Sequence, residues 1–122
     1  MADIPTLTDR SSRIAALNDL CRQGLDSEAR IVVTASCLAA LAGAGGLDDE
    51  LRAQVELLAA VRLHRFTLED GADRRRGEVL VRGRIIRFVI DYYDRSLEWG
   101  SEDPADPDVT TRVMTILLPE DD

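Results

Sequence analysis

The sequence predicts one α+β domain, with N-terminal helices packed on one face of a mostly antiparallel sheet of about four to five strands. Apolar residues recur at helical spacing in the first half of the chain and at a spacing of two from Phe66 onward. The chain has 122 residues, 45% of them hydrophobic, which suffices for one core. We therefore expect residues 1–122 to form a single domain.

The N-terminal third is predicted to contain a helix and then a strand. The helix spans Thr8 to Gly24, where glycine stops it. Its apolar face is expected to comprise Ile14, Leu17, Cys21 and Leu25. The β-branched run in Arg30–Thr34 is apolar on both faces, which predicts an interior strand.

Two further helices are predicted before the sheet begins. Residues Ala35–Ala42 are expected to form one or two helical turns, and the glycines of 43–46 then interrupt the chain. Asp48 is placed to cap a second long helix that ends near Leu63. The core face of that helix is expected to carry Leu51, Val55, Leu58 and Val61.

The second half reads as strands joined by turns. Three runs have strand-like alternation, namely Arg65–Glu69, Glu78–Arg82 and Arg84–Tyr93. The last two should form a hairpin through Arg82-Gly83, because glycine reaches positive φ without a steric clash.

A loop and a final strand complete the predicted fold. The loop covers Ser96–Asp108, or about residues 95–110 with its flanks, because Gly100 and two prolines interrupt regular structure there. Leu97 and Trp99 are expected to hold it against the fold. Residues Arg112–Leu118 are apolar on both sides, which predicts a central strand.

Composition excludes several classes of site. His64 is the only histidine, so zinc sites built on two histidines are excluded, and the glycines of 42–46 lack the Lys and Ser or Thr of a phosphate loop. Cys21 and Cys37 are expected to be free, buried thiols, and His64 to serve packing or a cap. We expect no cofactor and no bound metal. No stretch of the sequence approaches the apolar length that is needed to span a bilayer, which predicts a cytoplasmic protein without membrane contact.

The charge is concentrated at one end of the chain. Residues 1–88 contain 13 acids and 13 arginines, whereas residues 89–122 contain ten acids and two arginines, so the net charge of -8 lies there. This balance disfavours direct binding of nucleic acid. The acidic segment is either a solvated loop whose acids cap turns or a face that binds a basic partner. The candidate partner-binding residues are Asp94, Glu98, Trp99, Glu102, Asp103, Asp106 and Asp108.

Two other charged groups have alternative interpretations. Asp91 and Asp94 flank two tyrosines, and with Glu98 they either hold a divalent cation or act structurally, by capping the loop or pairing with Arg112. The basic run Arg74–Arg76 is either a solvated loop tip or a grip for a phosphate or an acidic partner.

Several runs of the sequence resemble a known family, and the resemblance is strongest from Ile90 to Leu118. They are Asp91–Asp94, Gly100–Pro107 and Thr110–Leu118, with Arg13–Asp19 and Ile31–Thr34 in addition. The chain closely resembles domain of unknown function 3768. The resemblance implies a small bacterial protein, often encoded on plasmids and integrated elements, without an assigned activity. Residues Asp70–Gly77 depart from the acidic, Asn-, Gly- and His-containing stretch of relatives, so no role is carried over to them.

These observations together predict a non-enzymatic interaction protein. Its acidic loop would bind a basic surface of a nucleic-acid-binding defence complex, as an anti-CRISPR or antirestriction inhibitor does. One alternative is a metal-dependent hydrolase or nuclease that uses Asp91 and Asp94. Another is a structural or regulatory homo-oligomer, such as a homodimer in which the sheet edge Arg65–Glu69 pairs with its copy.

Overall fold

The computed structural model describes residues 6–122, with side-chain surroundings from Arg10 onward. It has an α+β fold, as the sequence predicts, with three helices preceding most of the sheet. The elements are α1 (Thr6–Arg22), β1 (Arg30–Val33), α2 (Ala35–Ala42), α3 (Gly46–Leu63), β2 (Arg76–Val81), β3 (Arg84–Tyr93) and β4 (Thr111–Leu117). Short 3-10 turns cover Leu68–Asp70 and Pro119–Asp121. None of the described helices is of a length and hydropathy that would cross a membrane.

The four strands form one sheet in the order β1-β4-β3-β2. β1 is parallel to β4, and the other neighbours are antiparallel. The predicted hairpin is confirmed: Arg82 and Gly83 connect β2 to β3 with φ of 51° and 78°, as a two-residue turn that follows the strand twist requires. The predicted central strand is confirmed as β4, which lies between β1 and β3.

The prediction that residues 30–34 form an interior strand is wrong in its position. β1 exists, but it lies at an edge of the sheet, and both Ile31 and Val32 are exposed. β-branched residues on both faces favour extended backbone at an edge as well as in the interior. The interior place belongs to β4, which brings Met114 and Ile116 into the core.

The predicted core face of α3 is correct for Val61 and, in part, for Leu58, but wrong for the other two residues. The helix ends at Leu63 as expected, but it buries Ala53, Leu57 and Val61, while Leu51 and Val55 are exposed. Its N-cap is Gly45, so Asp48 lies inside the first turn rather than at the cap. The helix carries two apolar rows, and periodicity alone does not say which of them the sheet covers.

The predicted strand Arg65–Glu69 does not form. Residues Leu68–Asp70 make a 3-10 turn instead. The Asp70 carboxylate accepts hydrogen bonds from the Thr67 backbone N–H at 2.9 Å and from a His64 ring nitrogen at 3.2 Å. The Thr67 bond is the main cause that lowers the pKa of Asp70. These local side-chain bonds compete with strand pairing and leave β2 as the edge of the sheet.

The core lies between the helices and one face of the sheet. Its largest fully buried side chains include Phe88, Leu57, Ile86, Ile90, Met114 and Ile116. Cys21 and Cys37 are buried and free, as predicted. Burial is the main cause that raises the pKa of Cys21 to about 11, so this thiol stays protonated and acts as a small apolar side chain.

Candidate functional site

The candidate site is the segment Asp94–Thr110, called here the acidic loop, which connects β3 to β4. It contains six acidic residues and one arginine. Tyr93 and Thr111 are register partners in the sheet, and Tyr93 also forms an isolated bridge with Gly100. The loop is therefore closed at its base and again after its first six residues.

The first half of the acidic loop is organised around one carboxylate. Asp94 Oδ1 accepts hydrogen bonds from the Ser96 hydroxyl at 2.8 Å and from the backbone N–H groups of Glu98 and Trp99 at 3.2 and 3.4 Å. The bond from Ser96 is the main cause that lowers the pKa of Asp94. Leu97 takes the left-handed conformation, with φ of 64°. Asp94 thus has the loop-capping role that the sequence allowed.

Two more acids stabilise turns in the second half. Asp103 Oδ1 accepts from the Ala105 N–H at 3.1 Å and from the Arg10 guanidinium at 2.8 Å. The Ala105 bond is the main cause that lowers the pKa of Asp103. Asp106 Oδ1 accepts from the Asp108 N–H at 2.9 Å. These carboxylates cap successive turns by bonding to backbone two residues later.

Hydroxyl groups join the ends of this second half. The Ser101 and Thr110 hydroxyls lie 2.6 Å apart, and Thr110 Oγ1 donates to the Asp103 carbonyl at 2.8 Å. The Asp103 N–H in turn donates to Ser101 Oγ at 3.1 Å. The turn is closed by side chains as well as by backbone, which fixes its conformation.

A buried arginine anchors the acidic loop to the core. Arg112 is 2% exposed; its Nη2 donates to the Pro104 carbonyl at 2.5 Å, and its Nε to Asn18 Oδ1 at 2.7 Å. The guanidinium also lies 5.1 Å from the centre of the Tyr92 ring. Desolvation is the main cause that lowers the Arg112 pKa. The loop is thus tied to α1 and β4 through one side chain.

This anchor was not identified from the sequence. A signal for it exists in the alternation of β4, where Arg112 falls on the same face as Met114 and Ile116. An arginine on a core face must find acceptors inside the fold.

Other carboxylates of the acidic loop have no bonding partner among the described residues. The carboxylates of Glu98, Glu102 and Asp108 make no hydrogen bond or ion pair with any residue whose side-chain surroundings are described. The six acids among the predicted partner-binding residues therefore fall into two groups. Asp94, Asp103 and Asp106 shape the loop, and Glu98, Glu102 and Asp108 have carboxylates available to another molecule.

Trp99 does not hold the loop against the fold, contrary to the prediction. The indole is 72% exposed, while the half-buried Leu97 packs closer to the protein. The backbone of Trp99 is bonded at both ends, its N–H to Asp94 Oδ1 and its carbonyl to the Asp94 N–H. The backbone is fixed without the side chain, so the indole is presented to solvent beside Glu98.

Asp91 and Asp94 have separate partners. Asp91 Oδ1 accepts from Arg75 Nη2 at 2.8 Å, whereas Asp94 caps the acidic loop. Of the two structural roles that the sequence leaves open, loop capping is observed for Asp94, and pairing with Arg112 is not, since Arg112 bonds to Asn18 and Pro104. Within the described part of the chain, no group of three or more His, Cys, Asp or Glu residues is arranged to hold a metal ion.

The side chains of Arg74–Arg76 are partly exposed, as expected of a solvated loop tip, but each of them also pairs with an acid of the fold. Arg74 pairs with Asp19 at 2.7 Å, and Arg76 lies 3.3 Å from Asp122. Arg75 donates to the Ile90 carbonyl at 2.8 Å as well as to Asp91. All three guanidinium groups are engaged within the fold.

His64 has the packing role that the sequence predicts. Its ring contacts Phe66 and Phe88 edge-on, with centroid distances of 4.7 and 5.4 Å. A polar cavity of about 420 Å³ opens beside it, lined in part by Asp70, Glu78 and Arg87. Two contacts cross its lining, a hydrogen bond between His64 and Asp70 and an ion pair between Arg87 and Glu78.

Comparison with known proteins agrees with the resemblance. The family model described as "Protein of unknown function (DUF3768)" matches residues 37–121. The match includes the acidic loop and β4, but it does not reach Arg13–Asp19 or Ile31–Thr34, where a resemblance was also expected. No curated protein and no solved structure is detectably similar to the chain. Since the family model covers well over half of its length, the chain belongs to the family of domain of unknown function 3768.

Proposed function

We propose that this protein is a non-enzymatic binding module whose acidic loop recognises a basic surface on another protein. The observation that carries the proposal is the exposed indole of Trp99, in a loop that has a fixed backbone and also contains three carboxylates without a partner among the described residues. Tryptophan is enriched among the residues that dominate binding energy at protein interfaces.

The chemistry of the loop suits an arginine- or lysine-rich partner. Glu98, Glu102 and Asp108 supply carboxylates that need break no bond to any described residue before they bind a cation. The face of an exposed indole attracts guanidinium and ammonium groups, by about 0.5–1 kcal/mol at a solvated site. A loop that is already ordered loses less conformational entropy on binding, which favours affinity.

In its more specific form, the proposal is that the partner is a nucleic-acid-binding complex of a bacterial defence system. A loop with six acids can occupy a groove that is built for a phosphate backbone. The plasmid and integrated-element context that the family resemblance implies also favours an anti-CRISPR or antirestriction inhibitor. The net charge of -8 disfavours binding to the nucleic acid itself.

The test is an affinity capture from a bacterial lysate at low and high salt, read out by quantitative mass spectrometry. The bait proteins are the wild type, Trp99→Ala, and a triple variant Glu98→Gln, Glu102→Gln, Asp108→Asn that keeps the loop-shaping acids. A matched control has the same change in net charge outside the acidic loop; it carries Glu50→Gln, Glu69→Gln and Glu120→Gln.

The proposal predicts a partner captured by the wild type and the control at low salt, lost at high salt, and lost with both loop variants. A partner that is a nucleic-acid-binding defence complex would support the specific form, and another basic protein would support only the general one. Equal capture by the loop variants and the wild type would contradict both.

A further inference from the structure

Helix α3 has two apolar faces, and the described chain covers one of them. Ala53, Leu57 and Val61 are buried against the rest of the fold. On a second face, Leu47, Leu51 and Val55 are 70%, 54% and 68% exposed. Leu51 and Val55, together with Arg52 and Glu56, line a shallow apolar depression of about 330 Å³.

The second face has the residue spacing of a helix–helix seam. Leu51, Val55 and Leu58 follow one another at intervals of four and three residues, which places them along one side of the helix. Leu51 and Val55 are exposed, whereas Leu58 lies at the edge of this face and is partly buried against the core. The alternating intervals of three and four residues continue to Asp48 at one end of the row and to Arg62 at the other. The seam is therefore apolar in the middle, acidic near the helix N-terminus and basic near its C-terminus.

We propose that this face binds the same face of a second copy, with the two α3 helices antiparallel about a two-fold axis at Val55. Asp48 and Arg62 are each seven residues from Val55, so the axis places Asp48 of one copy opposite Arg62 of the other, twice. Leu51 lies opposite Leu58 of the second copy, with an offset of one residue. A parallel arrangement would instead bring like charges together at both ends.

The charged ends of the seam are available for this pairing. Neither Asp48 nor Arg62 forms an ion pair with any residue whose side-chain surroundings are described. Their order also agrees with the helix dipoles, because an antiparallel pair sets the N-terminus of each helix beside the C-terminus of the other. The second copy is thus the occupant that matches both the apolar middle and the two opposite ends.

The size of the seam sets the expected strength of association. From Asp48 to Arg62 the helix is about 21 Å long, at 1.5 Å per residue. One seam of this length buries less than the roughly 800 Å² per partner that is usual in stable complexes. The dimer should therefore be weak and depend on protein concentration. The surface contains no residue of the acidic loop, so the inference is independent of the proposed function.

The first test is sedimentation velocity over a concentration series from micromolar to submillimolar protein. The wild type should shift from 13.5 kDa toward twice that mass. Val55→Glu should remain monomeric, while Leu80→Glu, which alters an exposed leucine on β2, should dimerise like the wild type. A wild type that stays monomeric, or a dimer that Val55→Glu leaves intact, would overturn the proposal.

A charge exchange tests the orientation of the helices. Asp48→Arg alone and Arg62→Asp alone each place like charges across the seam at both ends, which should weaken dimerisation about tenfold. In an equimolar mixture of the two variants, the mixed dimer regains both opposite-charge pairs and should form at the wild-type concentration. A mixture that associates no better than either variant alone would overturn the antiparallel arrangement.

Discussion

Arg112 Nε donates to Asn18 Oδ1 over 2.7 Å, and this bond joins the central strand to the first helix inside the core. Both side chains are buried. Asn18 also donates through Nδ2 to the Tyr92 hydroxyl at 2.8 Å and to the Asp73 carbonyl at 2.9 Å. Amide, carbonyl and aromatic groups solvate the buried cation, so the removal of one of them leaves a costly unsatisfied charge.

Loss of Asn18 should therefore destabilise the fold strongly. Asn18→Leu removes the acceptor of Arg112 and is expected to lower the free energy of unfolding by about 2–4 kcal/mol. Urea unfolding followed by circular dichroism measures the change. Asn18→Leu combined with Arg112→Met should cost less than the two single changes added together, because the second removes the charge that the first leaves unsatisfied. Additive effects would show that the two residues act separately.

The loop cap at Asp94 should make stability depend on pH. Its folded-state pKa lies below the ordinary value of 3.8, so its contribution is complete above that value and is lost as pH falls through the folded pKa. Asp94→Asn should be less stable than the wild type at pH 7, and the difference should shrink as the solution is acidified below pH 3.8.

Thermal unfolding of both proteins at several pH values is the measurement for this prediction. Glu102→Gln serves as the control, because that carboxylate caps no described turn and its removal should give no such dependence. A difference between Asp94→Asn and the wild type that stays constant down to the lowest pH would contradict the capping role.

Gly77 should not tolerate a side chain. A Cβ at this position would lie 2.8 Å from His64 Nε2 and 2.8 Å from Phe88 Cζ. Gly77→Ala is therefore expected to destabilise the protein by about 1–3 kcal/mol through overpacking. Gly100→Ala is the matched control, since its Cβ would only approach the Tyr92 carbonyl oxygen at 3.9 Å. Equal stabilities of the two variants in urea would contradict the close packing of His64 on β2.

Trp99 should matter little to folding. Its indole is exposed, so Trp99→Ala should change the free energy of unfolding by no more than about 0.5 kcal/mol. Since it is the only tryptophan, acrylamide quenching of the wild-type fluorescence reports on it alone. The quenching constants of the folded and the urea-unfolded protein should be close. Strong protection in the folded state would indicate that the indole is covered.

The predictions that succeeded depend on local chemistry. The end of helix α2 and the Arg82-Gly83 hairpin follow from glycine, and the interruption before β4 follows from glycine and proline, all of which act over a few residues. The predicted burial of Cys21 and Cys37 also holds, because small apolar thiols within ordered segments pack inward.

The predictions that failed depend on which surface another element covers. Both β1 and β4 are apolar on both faces and are predicted to be interior, but only β4 is. The pattern of α3 likewise does not say that the helix buries Leu57 rather than Leu51. In both cases two apolar faces compete, and the tertiary arrangement selects one. For the acidic loop, composition could locate the acids but could not separate the structural Asp94 from the unpaired Glu98.

If the acidic loop binds a basic surface, the affinity for the captured partner must depend on salt, and this dependence is the measurement to make. Fluorescence of Trp99 in the wild type can follow the titration at several salt concentrations. We expect wild-type affinity to fall steeply with salt, and the triple variant Glu98→Gln, Glu102→Gln, Asp108→Asn to bind weakly with a much flatter dependence. The same affinity and the same salt dependence for both proteins would contradict this expectation.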